Sequence, residues 1–147
     1  MLKITPNLLF KRNCNEAMAL YKEAFGAEVK LKILFSEANP QDFQYKNEDE
    51  KNCVFYSEVM IENQKIIMAD DSNEVLDWED QGKVSRTSLM NLLVEFASEE
   101  KLQAAYKVLA DGATILTPLG STTYCTAYVM LVDKFGKNWE LMSGYEG

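Results

Sequence analysis

The chain contains no histidine, so any acid, base or metal ligand it offers is a carboxylate, a lysine, a tyrosine or a cysteine. Ser-His-Asp and Cys-His catalysis and histidine-ligated metals are thereby excluded. Glu58 and Glu140 are two carboxylates set in apolar stretches. Environments that split their pKa values would let one act as acid and the other as base. The pair Asp70-Asp71 has the look of a metal site, but an acid pair entering a polar loop is expected to be solvated. Cys14, Cys53 and Cys125 are odd in number, far apart and without C-x-x-C spacing; they read as free, reduced thiols.

The whole composition narrows the setting. The 147 residues carry 15 Lys plus Arg against 23 Asp plus Glu, a net charge of −8, with 47% hydrophobic residues. That describes one globular domain with a single good core. No run approaches the roughly 18 apolar residues of a membrane span. The opening Met1-Leu2-Lys3-Ile4-Thr5-Pro6 does not read as a signal peptide, and a cytoplasmic protein is expected. An acidic chain without a basic stripe is not expected to bind nucleic acid.

The elements that must position these side chains occur twice in the same order. Ile4 to Phe10 reads as a short strand, and Asn13 with Glu16 reads as a helix cap. Ala17, Met18, Tyr21, Ala24 and Phe25 keep the spacing of one buried helical face, and Gly26 is placed to end it. In the second half Ser88 to Phe96 reads as a strand and Ser98 as the cap. Leu102, Ala105, Tyr106 and Leu109 form the buried stripe, and Gly112 ends that helix. Extended runs follow, Glu28 to Phe35 and Thr114 to Leu119, each succeeded by a hairpin. Val54 to Ile61 pairs with Lys65 to Ala69, and Tyr124 to Val132 with Asn138 to Met142. Each half reads β-α-β-β-β, module 1 over about 1–71 and module 2 over about 87–147. The polar segments 37–52 and 72–86 interrupt the pattern as a solvated loop and a linker, either mobile or lids; Trp78 would pin the second or cover something apolar.

With the repeat in place, Asp133-Lys134-Phe135-Gly136-Lys137-Asn138-Trp139-Glu140-Leu141 resembles the D-x-x-G-x-x-x-E-[LI] ending of the vicinal oxygen chelate superfamily, which holds glyoxalase I, bleomycin-resistance proteins and extradiol dioxygenases. Ile4-Thr5-Pro6, Asn13 to Met18 and Tyr21 to Gly26 are similar to the opening of its PhnB-like branch, also described as a 3-demethylubiquinone methyltransferase domain. Val54 to Val59 and Met68-Ala69-Asp70 match that branch in place. The resemblance implies an α+β fold: two βαβββ modules forming a curved, incomplete barrel-like mixed sheet, helices outside and a ligand cleft inside. It also implies a homodimer.

Strand alternation then sorts the side chains. Asn138, Glu140 and Met142 share one face; so do Tyr56, Glu58 and Met60, and so do Tyr124, Thr126, Tyr128 and Met130. If these sets face the cleft, tyrosines, methionines and two carboxylates line it. Metal-dependent members use four ligands of the His, Gln or Glu kind, of which only Glu140 matches here. The other positions fall near Thr5 or Pro6, on Ile67 or Met68, and in the Asn91 region, a set poor for divalent ions. No metal and no other cofactor are therefore expected. The candidate ligand-binding residues are Glu140, Tyr56, Glu58, Tyr124, Tyr128, Asn138, Met142 and Met68. Each also has a plainer reading: Glu140 hydrogen-bonded within the sheet, Glu58 in solvent, the tyrosines and methionines as core. The leading expectation is a protein that binds an unidentified small molecule without a catalytic metal. A lyase, isomerase or dioxygenase-type enzyme and an interaction protein with a closed cleft are the alternatives.

Overall fold

The computed structural model describes residues 1–72 and 90–145. The expected linker, apart from Ser72, lies outside these residues, as do Trp78 and the start of the strand expected from Ser88. The chain divides into two compact units, Met1–Glu79 and Asp80–Gly147.

The first unit runs β1 (Asn7–Phe10), α1 (Cys14–Phe25), β2 (Glu28–Leu34), β3 (Val54–Ile61) and β4 (Gln64–Asp70). Its four strands form one mixed sheet in the order β1-β4-β3-β2, with β1 parallel to β4 and the other pairs antiparallel. The second unit repeats this with β5 (Leu92–Phe96), α2 (Glu99–Leu109), β6 (Thr114–Gly120), β7 (Cys125–Val132) and β8 (Asn138–Tyr145), in the order β5-β8-β7-β6. The expected α+β fold and twofold βαβββ order are present as two separate four-stranded sheets, not closed into a barrel.

Each helix buries its apolar stripe on its own sheet, α1 on β3 and β4, α2 on β5 and β8. Cys14, Ala17, Met18, Leu20 and Tyr21 are buried in α1, and Leu102, Ala105 and Leu109 in α2. The sheet residues that meet them alternate, as a pleat requires: Ile66, Met68 and Asp70 on β4, and Trp139, Leu141 and Ser143 on β8, all buried.

Several local details depart from the sequence reading. The first strand begins at Asn7, leaving Ile4 almost fully exposed. Asn13 does not cap α1; its side chain accepts instead from the Lys11 N–H. The first N–H of the helix, on Cys14, is taken by the Asp70 carboxylate at 3.0 Å, and the other Asp70 oxygen accepts from the Val54 N–H at 2.8 Å. Asp70 is thereby buried, and Asp71 beside it is buried too, rather than solvated. Burial pushes the Asp70 carboxyl upward, opposed by those two N–H groups and by Arg12. The segment 37–52 is mostly exposed, as expected of a solvated loop, but it is anchored at Phe43. Phe43 packs edge-on against Phe35 and stacks on Phe55, with ring centroids 4.6 and 5.6 Å apart. The Arg12 guanidinium lies over the Phe35 ring, donates to the Asp71 carbonyl and pairs with Glu50.

Candidate functional site

The D-x-x-G turn between β7 and β8 fixes the position of Glu140. One Asp133 carboxylate oxygen accepts from the N–H groups of Phe135 and Lys137 at 2.9 and 3.0 Å; the other accepts from the Trp139 indole at 2.9 Å. Gly136 takes the left-handed conformation the turn needs, with φ of +83°. The turn sets the register Met130↔Glu140 and Tyr128↔Met142. Directly paired residues point to the same face, so Tyr128, Met130, Glu140 and Met142 share the face away from the buried Trp139 and Leu141. The parallel pairs Leu93↔Glu140 and Glu95↔Met142 add Leu93 and Glu95 to it.

Across this face the Tyr128 hydroxyl donates to Glu140 Oε1 at 2.5 Å. Tyr128 is only 6% exposed. Burial first, and then the neighbouring carboxylate, push its phenol far above the ordinary tyrosine value. The phenol therefore stays protonated and remains a donor to Glu140. Tyr128, Met142 and Cys125 form a buried apolar cluster with Met130 against it, and the half-exposed Tyr124 ring meets Tyr128 edge-on at 6.2 Å. Cys125 remains a free thiol, as do Cys14 and Cys53; burial raises the Cys53 pKa to about 11.

The first unit carries a second phenol–carboxylate pair of another kind. Tyr56 and Glu58 stand two residues apart on β3, and the Tyr56 hydroxyl donates to Glu58 Oε2 at 2.7 Å. Met60, Lys65 and Ile67 share their face through the pairs Glu58↔Ile67 and Met60↔Lys65. Glu58 is partly buried and bonded rather than simply solvated.

The expected residues thus separate. Tyr124, Tyr128, Asn138, Glu140 and Met142 come together in the second unit, and Tyr56 and Glu58 in the first. Met68 does not join them. It alternates with Ile67, lies wholly buried on the helix side of β4, and its carbonyl accepts from the Ser57 hydroxyl. Sequence reasoning missed Leu93 and Glu95, although once β5 pairs with β8 the alternation of β5 places them beside Glu140 and Met142. It also passed over Asn91 as a polar acceptor: its Oδ1 is buried and has no hydrogen-bond partner.

The metal that the resemblance implies does not fit these residues. Glu140 already accepts a hydroxyl, its direct neighbours across β5 and β7 are Leu93 and Met130, and Ile67 and Met68 offer no hard donor. Among the described residues no three of His, Cys, Asp and Glu gather in a metal-binding group.

Sequence and structure comparisons agree with this architecture. The profile of the 3-demethylubiquinone-9 3-methyltransferase family matches residues 2–142. Protein YjdN of Escherichia coli K12 is 25% identical over 138 residues, covering 94% of this chain and 92% of that one. The PhnB protein of Bacillus cereus superposes with a TM-score of 0.74 at 25% identity, over 97% of this chain and 99% of the other. Protein PA1353 of Pseudomonas aeruginosa does so with a TM-score of 0.78 at 19% identity, over 99% and 100%. A glyoxylase/bleomycin resistance protein/dioxygenase domain from Frankia shares the fold with a TM-score of 0.66 at 16% identity, over 100% and 95%. The chain belongs to the 3-demethylubiquinone-9 3-methyltransferase family, a PhnB-like group with the glyoxalase/bleomycin-resistance fold.

Proposed function

We propose that this PhnB-like family member is a small-molecule binding protein that holds an apolar ligand against the Tyr128–Glu140–Met142 face without a catalytic metal. One observation carries the reading: a partly buried carboxylate, fixed by a buried phenol, set among Leu93, Met130 and Met142. Methionines adapt to irregular ligands, and a single oriented polar group among them gives a ligand its direction. The phenol holds one carboxylate oxygen and leaves Oε2 to a ligand's hydrogen-bond donor. Free thiols at all three cysteines support a reducing, cytoplasmic setting, and the resembled fold supports a homodimer, which light scattering at micromolar concentration tests.

The binding reading is tested with the neutral, solvatochromic dye Nile red. Saturable binding with a blue shift is expected, and Met130→Glu should abolish it while the circular dichroism spectrum is retained. Dye binding that is absent, or unchanged in Met130→Glu, overturns the reading. Elemental analysis of protein purified without added metal tests the other half. Stoichiometric metal that is lost in Glu140→Ala would replace this reading with a metalloenzyme.

A further inference from the structure

We infer that Cys14 and Cys53 are a redox-responsive pair, which a small-molecule disulfide oxidises to a protein disulfide that clasps the start of α1 to the start of β3. The inference stands apart from the binding reading above. It comes from the way one carboxylate joins the two segments. Asp70 accepts from the Cys14 N–H on Oδ1 at 3.0 Å, and from the N–H of Val54, next to Cys53, on Oδ2 at 2.8 Å. The two N–H groups are thus one carboxylate apart. Beside them the Asn15 side chain donates to the Asn52 carbonyl at 3.1 Å, so residues 14–15 are tied to 52–54 by two separate links.

The surroundings of the two side chains agree. Cys14 opens the buried stripe of α1 with Ala17, Met18 and Tyr21, on the helix that packs against β3 and β4. Burial pushes the Cys53 thiol up to about 11, and the charges that act on it are those of Asp70, Arg12, Glu50 and Glu16. Arg12 and Glu16 bracket Cys14 in the chain, which puts the Cys53 thiol beside the start of α1. Both cysteines are reduced in the structure. Cys53 is partly exposed and Cys14 wholly buried, so the oxidant meets Cys53 first. The Cys53 thiolate attacks one sulfur of the oxidant and expels the other as a thiolate. Cys14, having given its proton to water, then attacks the Cys53 sulfur of the mixed disulfide and expels the second thiolate. Two protein thiols and one small disulfide become one protein disulfide and two small thiols, the electron pair passing to the oxidant. Cys125 lies in the other unit, among Tyr128 and Met142, and takes no part. In a reducing compartment such a disulfide is transient.

The test treats the folded, full-length protein with oxidised glutathione at about pH 8.5, where more of the thiol is ionised, and follows it by intact mass, peptide mapping and non-reducing electrophoresis. The expected product has lost two hydrogens per chain, migrates as a monomer, yields a linked Cys14–Cys53 peptide and is fully reversed by dithiothreitol. Cys125→Ser should give the same product, and Cys53→Ser should give no link. Closure needs the two Cα atoms within about 7 Å, so the yield of the link under native conditions reads how closely the carboxylate holds the two segments. A folded protein that gives the same mixture of the three possible pairings as the urea-unfolded chain overturns the inference. Cys53 that stops at the mixed disulfide with glutathione, a disulfide between chains, or a Cys53 thiol that stays unmodified overturns it as well.

Discussion

The two units share one topology, yet they place their buried carboxylates at opposite ends of the sheet. In the first, Asp70 at the end of β4 ties the start of α1 to the start of β3. In the second, the matching register position is Ser143: Phe10 pairs with Asp70 as Phe96 pairs with Ser143. Ser143 is buried and its hydroxyl has no partner. There the tie has moved to Asp133, in the β7–β8 turn, and α2 is capped by its own Ser98. The charges differ in the same sense. The first sheet mixes Glu28, Lys30, Lys32, Glu58, Lys65 and Asp70, whereas the second keeps two glutamates and no base. A repeated fold thus preserves its strand order while relocating its polar anchors, and the sheet that keeps fewer charges is the one on which the proposed ligand face lies.

Removing the anchors should break this contrast most severely. Asp133→Ala removes the acceptor of three N–H groups and Asp70→Ala that of two, so losses of about 3–5 and 2–4 kcal/mol are expected in urea unfolding. Asp70 adds a pH signature. Burial raises its folded pKa above the unfolded value, so its stabilising contribution is full below the ordinary carboxylate range and is lost as pH rises through the folded pKa. Wild type should therefore lose stability relative to Asp70→Asn as pH climbs above about 4.

The glycines give the next largest difference. Gly144 and Gly26 both have positive φ, +69° and +71°. A Cβ on Gly144 would overlap the Thr126 hydroxyl, while one on Gly26 meets nothing. Gly144→Ala should cost about 2–4 kcal/mol and Gly26→Ala about 1 kcal/mol, read from denaturation midpoints.

The tyrosines refine the contrast further. Tyr128→Phe should cost about 1–2 kcal/mol, as expected for a hydrogen bond to a carboxylate, and Tyr56→Phe less. In a spectrophotometric titration, Tyr128→Phe should remove a phenol that ionises far above the ordinary tyrosine range. The smallest effect belongs to Ser143. Ser143→Ala deletes an unpaired hydroxyl and should leave stability unchanged or raise it by up to about 1 kcal/mol. A loss like that of Asp70→Ala would show that the two register positions do the same work after all.

Much of the architecture was legible in the sequence because it is written locally. The helical stripes of Ala17 to Tyr21 and Leu102 to Leu109, the Ser98 cap and the D-x-x-G turn all rest on residues a few positions apart. What escaped is carried by pairing across strands. Nothing near Asn13 signals that Asp70 caps α1, and the burial of Asp70 goes with that distant bond. Met68 stands among the candidate ligand-binding residues, although the register of β3 with β4 turns it to the helix side. Glu140 was found by its motif, but its bond to Tyr128 depends on how the hairpin closes, and Glu95 and Asn91 depend on which strand lies next to β8. Phe43 and Tyr45 are the two aromatics of the polar run 37–52, and an apolar ring at Phe43 was the available sign that the loop is pinned.

The capping of α1 by Asp70 also bears on the order in which the chain folds. Ser98 lies beside the helix it caps, so α2 can begin as soon as its own segment is formed. The Cys14–Asp70 bond spans 56 residues, and the loop closure it needs must come before α1 gains that stabilisation. Helix α2 is thus expected to form early and α1 late, once β4 is in place. A peptide of residues 97–112 should accordingly show more helix than one of residues 12–27, and in the whole protein Asp70→Ala should mainly speed unfolding while leaving the folding rate nearly unchanged.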